Sequence, residues 1–183
     1  MINKELLDKI IRKSDICKFE CIFDDISGVP VKYNEKYIMV NIYEDFQFDG
    51  FCIFDITEIE NICYDETYEF INHICKEEKI YPPKVENINI ENFTNVFNYF
   101  KNNEENIIVE CGGYDDEDYS FSIGKVEKVT EEYIEIKYFD YMAKWDEDEL
   151  DRVYYDDISV VSFGKRYIKY MSKYTHLLKR WFY

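Results

Sequence analysis

The side chains in this chain best suited to nucleophilic, acid–base or metal chemistry are two histidines, six cysteines and 39 carboxylates. A hydrolytic triad needs a nucleophile, a base and an orienting acid within hydrogen-bond reach. His73 and His176 stand in different halves of the chain, and neither has a Ser, Cys or carboxylate at a spacing that suggests such a group. A structural zinc site repeats a two-residue knuckle between its ligands, whereas Cys17 and Cys21 are four apart and His73 and Cys75 are two apart. Gly112-Gly113 is followed by Tyr114-Asp115-Asp116-Glu117-Asp118 instead of the Lys and Ser or Thr of a phosphate loop, and those acids would repel phosphate. The acidic runs Asp115–Asp118 and Asp146–Glu149 lack the alternating oxygen ligands and central Gly of a calcium loop, so they read as solvated hairpin tips. A catalytic carboxylate pair would need a pocket that pushes two pKa values apart, which no motif here announces. The expectation is a chain with no catalytic residue, no metal and no cofactor.

What the acids can do is attract a basic surface. The formal charge of −17 divides unevenly: six basic residues (Lys165, Arg166, Lys169, Lys173, Lys179, Arg180) and no acid follow Asp157, leaving −23 on the residues before. Nucleic-acid affinity comes largely from Lys and Arg releasing counterions, so DNA and RNA are excluded as partners. The sites expected to meet a basic protein partner are Asp115, Asp116, Glu117 and Asp118, and Trp145 with Asp146, Glu147, Asp148 and Glu149. Trp145 beside four acids has the composition of an interface anchor.

The elements that position these residues read as a duplication. Gly28 to Val40 matches Gly124 to Ile136 without gaps at an offset of 96, with Lys32/Lys128, Glu35/Glu131 and Tyr37-Ile38/Tyr133-Ile134 coinciding. Asp55-Ile56-Thr57-Glu58-Ile59 matches Asp157-Ile158-Ser159-Val160-Val161 at an offset of 102, which places six extra residues in the second copy near Trp145–Leu150. Each copy opens with an amphipathic helix, carrying Ile2, Leu6, Leu7, Ile10 and Ile11 or Phe93, Val96, Phe97 and Phe100 at spacings of three and four. Strands follow at Cys17–Phe23 and Ile107–Cys111, then at Phe51–Ile59 and Arg152–Phe163, with Asp49-Gly50 as a turn. In the strands at Tyr37–Ile42 and Tyr133–Tyr138 the residues alternate with period two, which predicts one buried face. A helix capped by Asp65, burying Phe70, Ile71, Ile74 and Cys75, leads to an extended connector at Lys79–Lys84, where Pro82 and Pro83 exclude helix. A last helix begins near Tyr167, with Ile168, Met171, Leu177 and Leu178 as its core residues.

The expected fold is therefore α+β and β-rich: two tandem helix-plus-five-stranded small barrels, over residues 1–80 and 84–183. The repeated Gly28…Tyr37-Ile38…Asp55-Ile56-Thr57 and Gly124…Tyr133-Ile134…Asp157-Ile158-Ser159 resembles the Sm-like branch of SH3-like barrels over about 60 residues of each copy. The chain is also similar to uncharacterised bacterial proteins, of immunity type, in which this pattern occurs once or twice. The resemblance implies RNA binding through basic and amide-bearing loops, but the matching loops Glu44–Asp49 and Asp140–Glu149 are acidic, so that function does not carry over.

No run of about 18 apolar residues spans a membrane, and the N-terminal Met1-Ile2-Asn3-Lys4-Glu5-Leu6 has no signal-peptide pattern. A cytoplasmic location follows, with six free thiols. The leading reading is a non-enzymatic acidic protein that masks a basic partner, most concretely an immunity protein against a bacterial toxin, its acidic field speeding association. The alternative is a scaffold or regulatory protein assembling through barrel edge strands.

Overall fold

The computed structural model describes residues 2–85, 87–112 and 119–175. Helix α1 (Lys4–Lys13) begins where the Asn3 side chain accepts a hydrogen bond from the Leu6 amide and ends at Ser14 in the left-handed conformation. Five strands follow: β1 (Cys17–Cys21), β2 (Ile26–Tyr33), β3 (Tyr37–Glu44), β4 (Gln47–Asp55) and, after a 3-10 turn at Ile56–Glu58, β5 (Ile59–Cys63). Helix α2 (Glu66–Glu77) leads into the connector. The second half runs α3 (Phe93–Asn103), β6 (Asn106–Cys111), β7 (Ser120–Val129), β8 (Tyr133–Tyr138), β9 (Asp151–Tyr154), a 3-10 turn at Tyr155–Asp157, β10 (Ile158–Phe163) and α4 (Arg166–Tyr174).

The ten strands form one open antiparallel sheet in the order β5-β1-β2-β3-β4-β10-β6-β7-β8-β9, which overturns the two closed barrels read from the sequence. Each set of five keeps its fifth strand beside its first. The fourth strand of the first set, however, pairs with the fifth of the second, through Phe54–Val160, Ile53–Val161, Cys52–Ser162 and Phe51–Phe163. The cause lies in β3 and β4, which are apolar on both faces. Ile38, Val40, Cys52 and Phe54 face a core with Leu7, Ile10, Cys17 and Phe19. Tyr37, Met39 and Ile53 face the opposite way, into a larger core with Phe93, Val96, Phe97, Phe100, Val109 and Val161. Separate barrels would have left that second face in water, at a cost of about 25 cal/mol per Å² of apolar surface. The single buried face expected for β3 is corrected on the same observation: Tyr37 through Tyr43 are all buried.

The connector belongs to this shared core. Ile88 and Ile90 are buried in it, the Lys32 ammonium donates to the Ile88 carbonyl, and the Asn34 amide donates to the Ile90 carbonyl at 2.8 Å. Three local readings also change. Asp49-Gly50 lies within β4, and the turn is Asp45-Phe46, both at positive φ, a two-residue hairpin matching the twist of its strands. Phe70 on α2 is 64% exposed, while Asn72 and Cys75 are its buried residues. Finally, Ile59 pairs with Cys21 as Ile158 pairs with Cys111, an offset of 99, so the Asp55-Ile56-Thr57 and Asp157-Ile158-Ser159 segments are not structural equivalents. Asp55 caps the first 3-10 turn, whereas Asp157 ends the second. The helix-face residues Leu7 and Ile10, and Phe93, Val96, Phe97 and Phe100, are buried as their spacing requires. Ile168 is buried on α4, and Leu177 and Leu178 lie outside the described residues. No helix among the described residues is long and apolar enough to cross a membrane.

Candidate functional site

Of the acids expected to meet a partner, the described residues include Asp146, Glu147, Asp148 and Glu149 beside Trp145. Trp145 packs back onto the sheet: its ring meets Phe139 edge-on at 5.3 Å, the two residues form an isolated bridge, and the Lys137 ammonium lies 5.7 Å from its ring centroid. Its neighbours are partly used in holding the loop. Asp146 accepts from the amides of Asp148 (2.9 Å) and Glu149 (3.3 Å), and Glu147 pairs with Lys137 at 2.7 Å. Asp115, Asp116, Glu117 and Asp118 lie outside the described residues, although Gly112 before them and Tyr119 after them are both placed.

Those two anchors border a recess at the seam that sequence reasoning missed. The β1–β2 turn brings Asp24 and Asp25, the end of β3 brings Glu44, and β6 brings Glu110; with Ser27, Tyr43, Tyr119, Ser162 and Lys165 they line a recess of about 300 Å³. Its floor is apolar, made by Ile42, Cys52 and Val160, where the first core meets the seam. Four carboxylates thus converge with one lysine. Part of this charge is held in place: the Tyr119 hydroxyl donates to Glu110 at 2.9 Å, and Asp25 pairs with Lys18, outside the recess, at 2.6 Å. Asp24 and Glu44 are exposed at the rim. The signal that could have found it was topological, because Glu110 lies far in sequence from Asp24, Asp25 and Glu44 and joins them only when β4 pairs with β10, which carries β6.

Burial pushes the Cys52 thiol up, the Lys165 ammonium only partly offsets this, and a protonated buried thiol is unreactive. His73 is exposed on α2, apart from these residues, and His176 is outside the described residues. No group of three or more His, Cys, Asp or Glu among the described residues is arranged to hold a metal ion. All six cysteines are free, five of them buried and Cys63 half-buried.

No protein-family model, no curated protein and no solved structure matches the chain. The site defines an α+β protein with an acidic, partly apolar recess at the junction of two five-stranded sets.

Proposed function

We propose that the chain is a non-enzymatic interaction protein whose acidic surface covers a basic protein partner, as an immunity protein covers a toxin. The supporting observation is the convergence of Asp24, Asp25, Glu44 and Glu110 on one small recess with an apolar floor. A Lys or Arg side chain fits this chemistry, since its aliphatic stem covers apolar surface while its head reaches carboxylates. The surrounding charge, −17 over the chain, steers such a partner in and raises the association rate.

A tetra-arginine peptide titrated calorimetrically into the full chain tests the recess. Binding should weaken steeply with added salt, and the combined Asp24→Asn, Glu44→Gln and Glu110→Gln variant should bind about ten-fold more weakly or worse. Neutralising Asp146, Glu147, Asp148 and Glu149 instead should cost much less. Equal affinity of wild type and recess variant at low salt would move the contact surface elsewhere.

A further inference from the structure

The opposite side of the seam carries the reverse electrostatic character. A cleft of about 990 Å³ opens between α4 and the connector, over the ends of β4 and β10. Its floor is aromatic and rigid: the rings of Phe51 and Phe163 stack at 5.3 Å with an 18° interplanar angle, and Phe163 is backed by Phe100 at 4.9 Å. Its walls carry Lys79 and Lys84 from the connector and Arg166, Lys169 and Lys173 from α4. The spacing of the α4 residues, three and four apart, puts them on one face of the helix.

Most of the other charges around the cleft are already engaged. Arg166 is fixed by Asp49, which accepts from its backbone amide (2.8 Å) and its Nε (3.1 Å), and by Gln47, which accepts from Nη1 at 2.6 Å. Glu104 is held by Lys125 at 3.3 Å. Lys79, Lys84 and Lys169, by contrast, have no ion-pair partner among the described residues, in a chain where acids outnumber lysines and arginines 39 to 22. Lys173 lies over the Tyr170 ring, at 5.3 Å, and has no ion-pair partner among the described residues. Five basic side chains line the cleft against three carboxylates, Asp49, Glu104 and Glu105; in so acidic a molecule that local excess of lysines turns the potential positive, and concave low-dielectric walls focus that field.

We propose that this cleft binds a small organic anion with an aromatic body, its planar part on Phe51, which Phe163 backs from beneath, and its charged group among Lys79, Lys84, Lys169 and Lys173. The cleft's volume and its mix of apolar floor and few convergent polar groups are those of small-ligand sites. Offset stacking on the exposed part of the aromatic floor favours a flat ring over a flexible chain. A long polyanion is disfavoured, because beyond the cleft it would run over a surface dominated by carboxylates. This site goes beyond the acidic recess and stands or falls separately from it.

Naphthyl phosphate, naphthol and inorganic phosphate, each titrated calorimetrically into the full chain at low ionic strength, test the two halves of the ligand. Naphthyl phosphate should bind with one-to-one stoichiometry, about ten-fold or more tighter than either naphthol or inorganic phosphate. The Lys169→Gln/Lys173→Gln variant should lose most of that gain, with its thermal midpoint unchanged. A Lys4→Gln/Lys9→Gln variant, matched in charge but on α1, should bind like wild type. No binding of naphthyl phosphate up to about 1 mM, equal affinity for naphthol, or equal losses in the two lysine variants would each overturn the proposal.

Discussion

Gly28 and Gly124 sit at corresponding points of β2 and β7, opposite Ile42 and Tyr138. A methyl group on Gly28 would collide with the Asn41 carbonyl and the Val40 side chain, and one on Gly124 with the Lys137 carbonyl. Both positions are therefore closed by backbone that cannot swing aside cheaply. Gly28→Ala and Gly124→Ala should each cost about 1–3 kcal/mol, read as a lower urea midpoint with an unchanged slope. A loss under about 0.5 kcal/mol at either would show that the strands part more easily than this geometry allows. These glycines were legible in the sequence, because a Gly inside a strand marks close approach and the offset of 96 aligned the two. Asn41 was not. It is fully buried, its amide donates to the Gly50 carbonyl at 2.6 Å, and its Oδ1 is the one buried side-chain polar atom without a partner among the described residues. A single Asn in an apolar run carries no mark of its depth.

Helix α2 shows how a buried polar residue defeats the reading of a whole element. Apolar spacing assigned its inner face to Phe70, Ile71, Ile74 and Cys75, yet the helix is held to the sheet by Asn72. Its Oδ1 accepts from the Ile16 amide at 2.7 Å and its Nδ2 donates to the Ile16 carbonyl at 2.9 Å, as a neighbouring strand would. Lys76 and Tyr64 add bonds to the buried Asp15 carboxylate, at 2.9 and 2.6 Å. Asn72→Ala strands the buried backbone groups of Ile16 and should cost about 1–3 kcal/mol, with faster amide exchange in α2 ahead of the sheet. Phe70→Ala, at an exposed position, should stay within about 0.5 kcal/mol. The reverse ranking would restore the face read from the sequence. For β3 the sequence did hold the needed signal. Tyr-Ile-Met-Val-Asn-Ile-Tyr is a nearly continuous apolar run, the pattern of a strand buried on both faces, whereas Tyr-Ile-Glu-Ile-Lys-Tyr in β8 alternates. That contrast separates a central strand from one near the rim, and it predicts a seam beside the first five strands.

For the whole molecule, the seam raises the question of whether it repeats between copies. The sheet ends in β5 on one side and β9 on the other, the strands that correspond to the two partners joined inside it. Their pairing registers align Arg152 with Ile53 and Asp151 with Cys52, and Asn61 with Val160. A second copy docked edge to edge would therefore set Arg152 where the seam has Ile53 packed beside Val161. Arg152 is also committed elsewhere, with its Nη2 2.7 Å from Glu135 and its guanidinium 4.5 Å from the Tyr133 ring centroid. The outer strand β9 has four residues against nine in β4, leaving little backbone to pair. Charged, short edges are a common means of preventing sheet growth, and with −17 on each chain approach is also opposed by repulsion. These features weigh against a scaffold that grows through its edges and favour a single copy. Sedimentation at tens of micromolar and physiological salt should give one species at the chain mass of 22.3 kDa. Arg152→Ile combined with Asn61→Val, which restores the apolar pairing of the seam at both edges, should shift the chain toward head-to-tail oligomers. Wild-type dimers or longer ladders, broken by charged substitutions in β5, would show that the edges pair after all.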